Sequence, residues 1–121
     1  AYQLAAKAGV AVDDVHNVTI WGNHSTTQVP DFINAKIKNR PVFDVIENKQ
    51  WLENEFFTTV QKRGAAILNA LGKSSAASAA NAIIDTVKAI TTPTPAGKWF
   101  SLAVLSDKNP YGIDSNLIYS F

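Results

Sequence analysis

Cysteine and methionine are absent from this chain, arginine occurs only at positions 40 and 63, and no two of the six glycines are separated by a single residue. Each shortage removes a class of chemistry. Without thiols there is no disulfide framework and no thiolate-bound metal, and the redox compartment leaves no trace in the sequence. Eleven basic residues against ten acidic ones leave a net charge of +1. With so little arginine there is no broad basic face, and nucleic acid is not an expected partner. Glycines at 9, 22, 64, 72, 97 and 112 form neither the G-x-G-x-x-G turn nor a P-loop, so no familiar dinucleotide or phosphate cradle is encoded. The nucleophile elbow G-x-S-x-G is missing too. The opening AYQLAAKAGVAV has no basic leader, and no apolar run approaches the ~18 residues of a spanning helix, so neither export nor a membrane partner is expected. A self-contained hydrolase or nucleotide enzyme is not what these residues describe.

What is present is a globular composition: 46% apolar and 17% charged over 121 residues, enough for one domain with its own core. Helix formers around Leu4 and Ala5 stop at Gly9, a helix end. VTIW (18–21) is β-branched and apolar, the pattern of a buried strand. Residues 24–40 read as irregular, and RPVFDVI after them is weakly strand-like. The strongest signal runs from Trp51 to Leu71, where Leu52, Phe56, Val60, Gly64, Ile67 and Leu71 draw one helical stripe that Gly72 ends. SSAAS supplies hydroxyls for the start of a second helix, with Ala76, Ala80, Ile83, Val87 and Ile90 on one side. Beyond TTPTPAG, KWFSLAVLS and SNLIYSF flank the turn-rich DKNPYGID as an antiparallel hairpin. The order helix, strand, helix pair, hairpin predicts an α+β fold, with helices on one face of a sheet. Ala1 already stands in a helical pattern and Phe121 in a strand-like one, so both ends read as interior positions of a longer chain.

His24 is the first chemical candidate. It follows a strand pattern and a glycine, which lets the backbone turn and aim the imidazole beyond the strand's end, and imidazole is the side chain that lends and recovers a proton near pH 7. A plain surface histidine fits the same spacing. His16, in a polar stretch with Asp13, Asp14 and Asn17, reads as structural. The two histidines lack zinc-site spacing, and no metal is expected. Ser74 and Ser75 precede a helix, whose free amides can hold a carboxylate, though simple capping explains them as well. Arg63 reads as a solvated helix charge rather than an anion clamp.

Four stretches in order, VTIWGNHSTTQVPD (18–31), WLENEFFTTVQKRGAAI (51–67), KSSAASAA (73–80) and LIYSF (117–121), closely resemble the substrate-binding half of cytosolic-type NAD-dependent malate dehydrogenases. They are similar as well to the protist lactate dehydrogenases derived from that lineage. The resemblance covers nearly all of the chain. It implies a mixed or antiparallel sheet packed by two long helices, with residues 1–121 one substrate-binding domain that lacks the N-terminal Rossmann half and the C-terminal end. It implies reversible oxidation of malate to oxaloacetate, with His24 as general acid/base, Ser75 in the substrate pocket and Ser74 as its neighbouring alternative. Asn23 and His24 are implied to border NAD, which the missing half would bind. A small 2-keto or 2-hydroxy dicarboxylic acid is the implied substrate, a homodimer or dimer-based tetramer the implied assembly, and the cytoplasm the implied compartment. The family's mobile loop with two arginines and its L-D-x-N-R stretch, whose Asp orients the histidine, are not in these residues. The isolated chain is therefore expected to be inactive. A rival from another class is a noncatalytic association unit whose stripe of Phe56, Val60 and Ile67 seeks a partner.

Overall fold

The computed structural model describes residues 1–74 and 76–121. Helix α1 (Tyr2–Ala8) stops at Gly9, whose φ of 67° and ψ of 35° are left-handed, a conformation glycine adopts without a Cβ clash. A 3-10 turn (Val12–Asp14) leads into strands β1 (Val15–His16) and β2 (Thr19–Trp21). Three more short strands follow, β3 (Val29–Asp31), β4 (Lys36–Ile37) and β5 (Arg40–Pro41). The first two lie in a stretch expected to be irregular. Each is too short for alternation to show in the sequence, and the β4–β5 turn is made by Lys38 and Asn39, both at positive φ, rather than by the Asn-Gly pair that usually announces such a turn. RPVFDVI, expected to be weakly strand-like, contributes only β5 before turning into a second 3-10 segment (Val42–Asp44).

The helical region begins with Asn48, whose side-chain oxygen accepts from the Trp51 amide at 2.9 Å and satisfies one of the unpaired donors of a helix start. Trp51–Phe56 is wound as a π-helix and continues into α2 (Phe57–Gln61). At Lys62 the backbone leaves helical geometry (φ −99°, ψ 5°) before α3 (Arg63–Leu71) ends at Gly72. The stripe predicted as one helix is thus two helices with a break. Leu52 and Phe56 before the break are buried, whereas Leu71 after it is 62% exposed. Helix α4 (Ala76–Thr91) and the hairpin of β6 (Ala103–Leu105) and β7 (Ile118–Ser120) complete the chain.

Among the described residues all pairing is antiparallel, in three small ladders: β1-β4-β5, β2-β3 and β6-β7. The predicted α+β class and closing hairpin both stand. The core gathers Leu4, Val15, Ile37, Val42, Leu52 and Phe56. Phe32 meets Phe43, Phe56 and Phe57 edge-on at 5.4, 6.1 and 5.8 Å between ring centroids, a favoured aromatic geometry. Strand β2 was expected to be buried, but Ile20 and Trp21 are 45% and 47% exposed, because its ladder has only one other strand. Neither α3 nor α4 contains a buried residue.

Candidate active site

Strands β2 and β3 pair with Thr19 opposite Asp31, Ile20 opposite Pro30 and Trp21 opposite Val29. Residues 22–28 form the connecting loop. Gly22 opens it at φ 88°, a region where L side chains are strained. The loop is folded on Ser25: its amide donates to the Asn23 carbonyl at 2.7 Å, its carbonyl accepts from the Gln28 amide at 3.2 Å, and its hydroxyl accepts from the Thr27 amide at 3.1 Å. The sequence expectation of a turn after the strand is met in this way. His24 stands exposed on the loop, and among the described residues its imidazole has no hydrogen-bond partner. Both ring nitrogens are therefore open to a ligand, and no carboxylate of the described residues fixes which one carries the proton.

The loop is fastened from outside. The Trp21 indole donates to Asp31 Oδ2 at 3.1 Å. Asp31 Oδ1 accepts from the Ile33 and Asn34 amides at 2.9 and 3.0 Å, and Oδ2 also accepts from Asn34 Nδ2 at 2.7 Å. Partial burial pushes the Asp31 carboxyl upward, but the bonds from Asn34, Trp21 and Ile33 together outweigh it and hold the group below the ordinary aspartate range. On the far side of the loop, Gln61 Nε2 donates to the Gln28 carbonyl at 2.8 Å and Gln28 Nε2 donates back to the Gln61 carbonyl at 3.5 Å. Gln61 sits at the helix break.

Asn23 borders a cleft of about 360 Å³ between β2 and β7, lined also by Trp21, Tyr111, Tyr119 and Phe121. His24 is not among its lining residues. Ser74 is exposed ahead of α4, and its carbonyl accepts from the Ala76 amide at 3.1 Å; no hydrogen bond among the described residues joins it to the His24 loop. Ser75, the serine favoured for the pocket, lies outside the described residues. Arg63 is exposed and borders a different cleft, with Pro30, Phe56 and Val60. His16, read as structural, is a half-buried member of β1.

A third tie joins residue 17 to residues 97–99. Asn17, 6% exposed, donates from Nδ2 to the Gly97 carbonyl at 2.9 Å and accepts at Oδ1 from the Trp99 amide at 3.1 Å. The Trp99 indole donates to Thr19 Oγ1 at 3.4 Å. Asp31, Gln61 and Asn17 escaped the sequence reading. Asn17 lies in a polar stretch with His16 and carried no signal of its tie, though its positive φ (60°) is a conformation asparagine tolerates.

The arrangement presents an exposed imidazole on a braced loop, able to pass a proton to a small ligand. Comparison with known proteins supplies the lineage. The model of the lactate/malate dehydrogenase alpha/beta C-terminal domain matches residues 1–121. A malate dehydrogenase of Protochlamydia amoebophila is 60% identical over 118 residues, covering 98% of this chain and 36% of its own length. An NADP malate dehydrogenase of Sorghum bicolor chloroplasts is 60% identical over 118 residues, covering 98% and 28%. Among solved structures, malate dehydrogenase of Naegleria fowleri superposes with a TM-score of 0.77 at 44% identity, covering 98% of this chain and 36% of that one. Trichomonas vaginalis lactate dehydrogenase, in complex with NADH and oxamate, gives 0.80 at 35% identity, covering 99% and 38%. The chain spans roughly a third of the length of these relatives, and it belongs to the lactate/malate dehydrogenase family as a C-terminal alpha/beta domain.

Proposed function

We propose that these residues form the substrate-binding part of an NAD-dependent malate dehydrogenase in which His24 is the general acid/base. The observation that carries this is the imidazole on the β2–β3 loop, exposed and without a hydrogen-bond partner among the described residues, in a chain 60% identical to a malate dehydrogenase. A bound dinucleotide would supply hydride to the carbonyl carbon of oxaloacetate. His24 gives its proton to the carbonyl oxygen, and in reverse takes one from the malate hydroxyl. By family resemblance Ser75, or its neighbour Ser74, serves the substrate carboxylate, and the amides at the start of α4 favour an anion.

Asn23 and His24 fit the border of a dinucleotide site, Asn23 as an amide donor or acceptor beside the cleft between β2 and β7. The phosphates need a glycine-rich cradle that this sequence does not contain. They are therefore assigned to a further domain, as is the carboxylate that orients the histidine. Without such a partner the tautomer is unfixed and the imidazolium unsupported, so the 121 residues alone should not oxidise NADH with oxaloacetate. The accessible surface supports a missing neighbour: 8623 Å², against about 6,400 Å² for a self-contained monomer of this size. That excess is on the scale of a permanent interface, consistent with a second domain and a homo-oligomer.

The test uses the full-length enzyme. His24→Asn should lower kcat on oxaloacetate by at least about 10²-fold, as expected for loss of a positioned general acid, and full activity in that variant would refute the assignment. Comparing NADH with NADPH checks the cofactor, since the Sorghum relative is named for NADP. Lactate chemistry is the second reading, favoured by the Trichomonas superposition; a pyruvate rate above the oxaloacetate rate would select it.

A further inference from the structure

Strand side chains alternate between faces, so the pairing of Thr19 with Asp31 and Trp21 with Val29 puts these four on one face of the β2–β3 ladder. Trp21 and Asp31 are diagonal neighbours there, a separation long side chains bridge. Asp31 is well suited to act as a fixed post. Its carboxylate accepts four hydrogen bonds, two from backbone amides of its own turn, one from Asn34 and one from the Trp21 indole, so it cannot rotate without releasing all of them. The indole it holds belongs to the last residue before the Gly22 turn. Gln61 holds the other shoulder of the loop through Gln28.

We propose that Asp31 is a positioning residue for His24, acting through the Trp21 indole at the root of the loop, with Gln61 as the second anchor. The proposal rests on the reading of His24 as the proton donor. A half-exposed indole bonded to a carboxylate contributes little to global stability, because water competes for both groups. Its consequence is orientation: a small swing at the root is magnified at the loop tip, and proton transfer is steep in misplacement.

Two substitutions break the same bond from opposite ends. Asp31→Asn keeps an oxygen for the Ile33 and Asn34 amides but cannot present a second acceptor to the indole. Trp21→Phe removes the donor and leaves the carboxylate. In the full-length enzyme each should lower kcat about 10-fold with KM for oxaloacetate changed less than about 2-fold, and the double variant should be no slower than the slower single one. In the full-length enzyme, nitrogen relaxation by NMR should show Asn23 to Thr27 becoming more mobile in both variants. The amides of Leu4, Ile37 and Leu52 should keep their exchange rates. Unchanged kcat and loop mobility in both variants, additive losses in the double variant, or core amides exchanging faster in step with the loop would each overturn the proposal. His24→Asn in the same series isolates the other question: full activity there removes the proton-donor role while the relaxation result on the loop still stands.

Discussion

The stretch from Ala1 to Gln61 and the stretch from Lys62 to Phe121 solve the folding problem differently. Every buried apolar side chain of the core, from Leu4 to Phe56, lies in the first; among the described residues of the second, only Ser106 is buried. The second stretch is ordered by local and polar means instead. Gly72 caps α3 in the left-handed region. Ser106 Oγ donates to the Asp114 carbonyl at 2.6 Å and accepts from the Leu117 amide at 3.1 Å. Asn109 bonds the Ser106 and Ile113 carbonyls with its amide and accepts the Tyr111 and Ile113 amides. The lesson is that one stretch buries its own apolar surface while the other is shaped to be covered: Ile83, Ile84 and Val87 of α4 are exposed although their spacing is that of a packing face.

The most forceful way to test this contrast is to truncate equivalent side chains on each side of it. Phe56→Ala should cost about 3–5 kcal/mol in urea unfolding, the range for a fully buried aromatic, whereas Ile83→Ala should cost less than about 0.5 kcal/mol in the isolated chain. A similar cost at both sites would erase the contrast. Next in size is Asn17→Ala, which removes both ties to residues 97–99 and puts alanine at positive φ. A loss of about 2–3 kcal/mol is expected from unpaired backbone groups and the strained conformation, with hydrogen exchange rising first in residues 97–121. Simultaneous loss of protection at Leu4 and Leu52 would show that the two stretches fold as one unit. Gly72→Ala should cost about 1 kcal/mol, read as a lower thermal midpoint and a frayed end of α3.

The smallest effect is a pH dependence within the first stretch. Because the Asp31 carboxyl is held low, its contribution is present above the unfolded aspartate value, about 3.9, and is lost as pH falls through its folded value. The indole resonance of Trp21 should therefore hold its bonded position from neutrality down to that range and move only below it. Movement at pH 6 would mean that another group controls the loop.

Periodicity made the helices legible. Leu52 and Phe56 marked the π-helix and Val60 the α2 that continues it, Gly72 the end of α3, and Ala76 to Ile90 traced α4. Turn residues made the β6–β7 hairpin legible in the same way. Strands of two or three residues left no comparable trace, because two alternations are indistinguishable from chance, and the Lys38–Asn39 turn lacks the Asn-Gly or Asp-Gly pair that announces a two-residue hairpin. The break at Lys62 was invisible because an apolar stripe continues through it in phase. At the site, His24 stood out for its chemistry and for the glycine before it. Asp31 and Gln61 did not, since their roles exist only through cross-strand and long-range partners.

The Asn17 tie has a consequence for the order of assembly. Its partners lie 80 and 82 residues away in sequence, and joining such distant points carries an entropic cost that nearby contacts do not bear. On a ribosome, residues 1–61 would emerge and collapse with Asn17 already posed in its left-handed turn, a waiting latch. Only when Gly97 and Trp99 have been synthesised can that latch close.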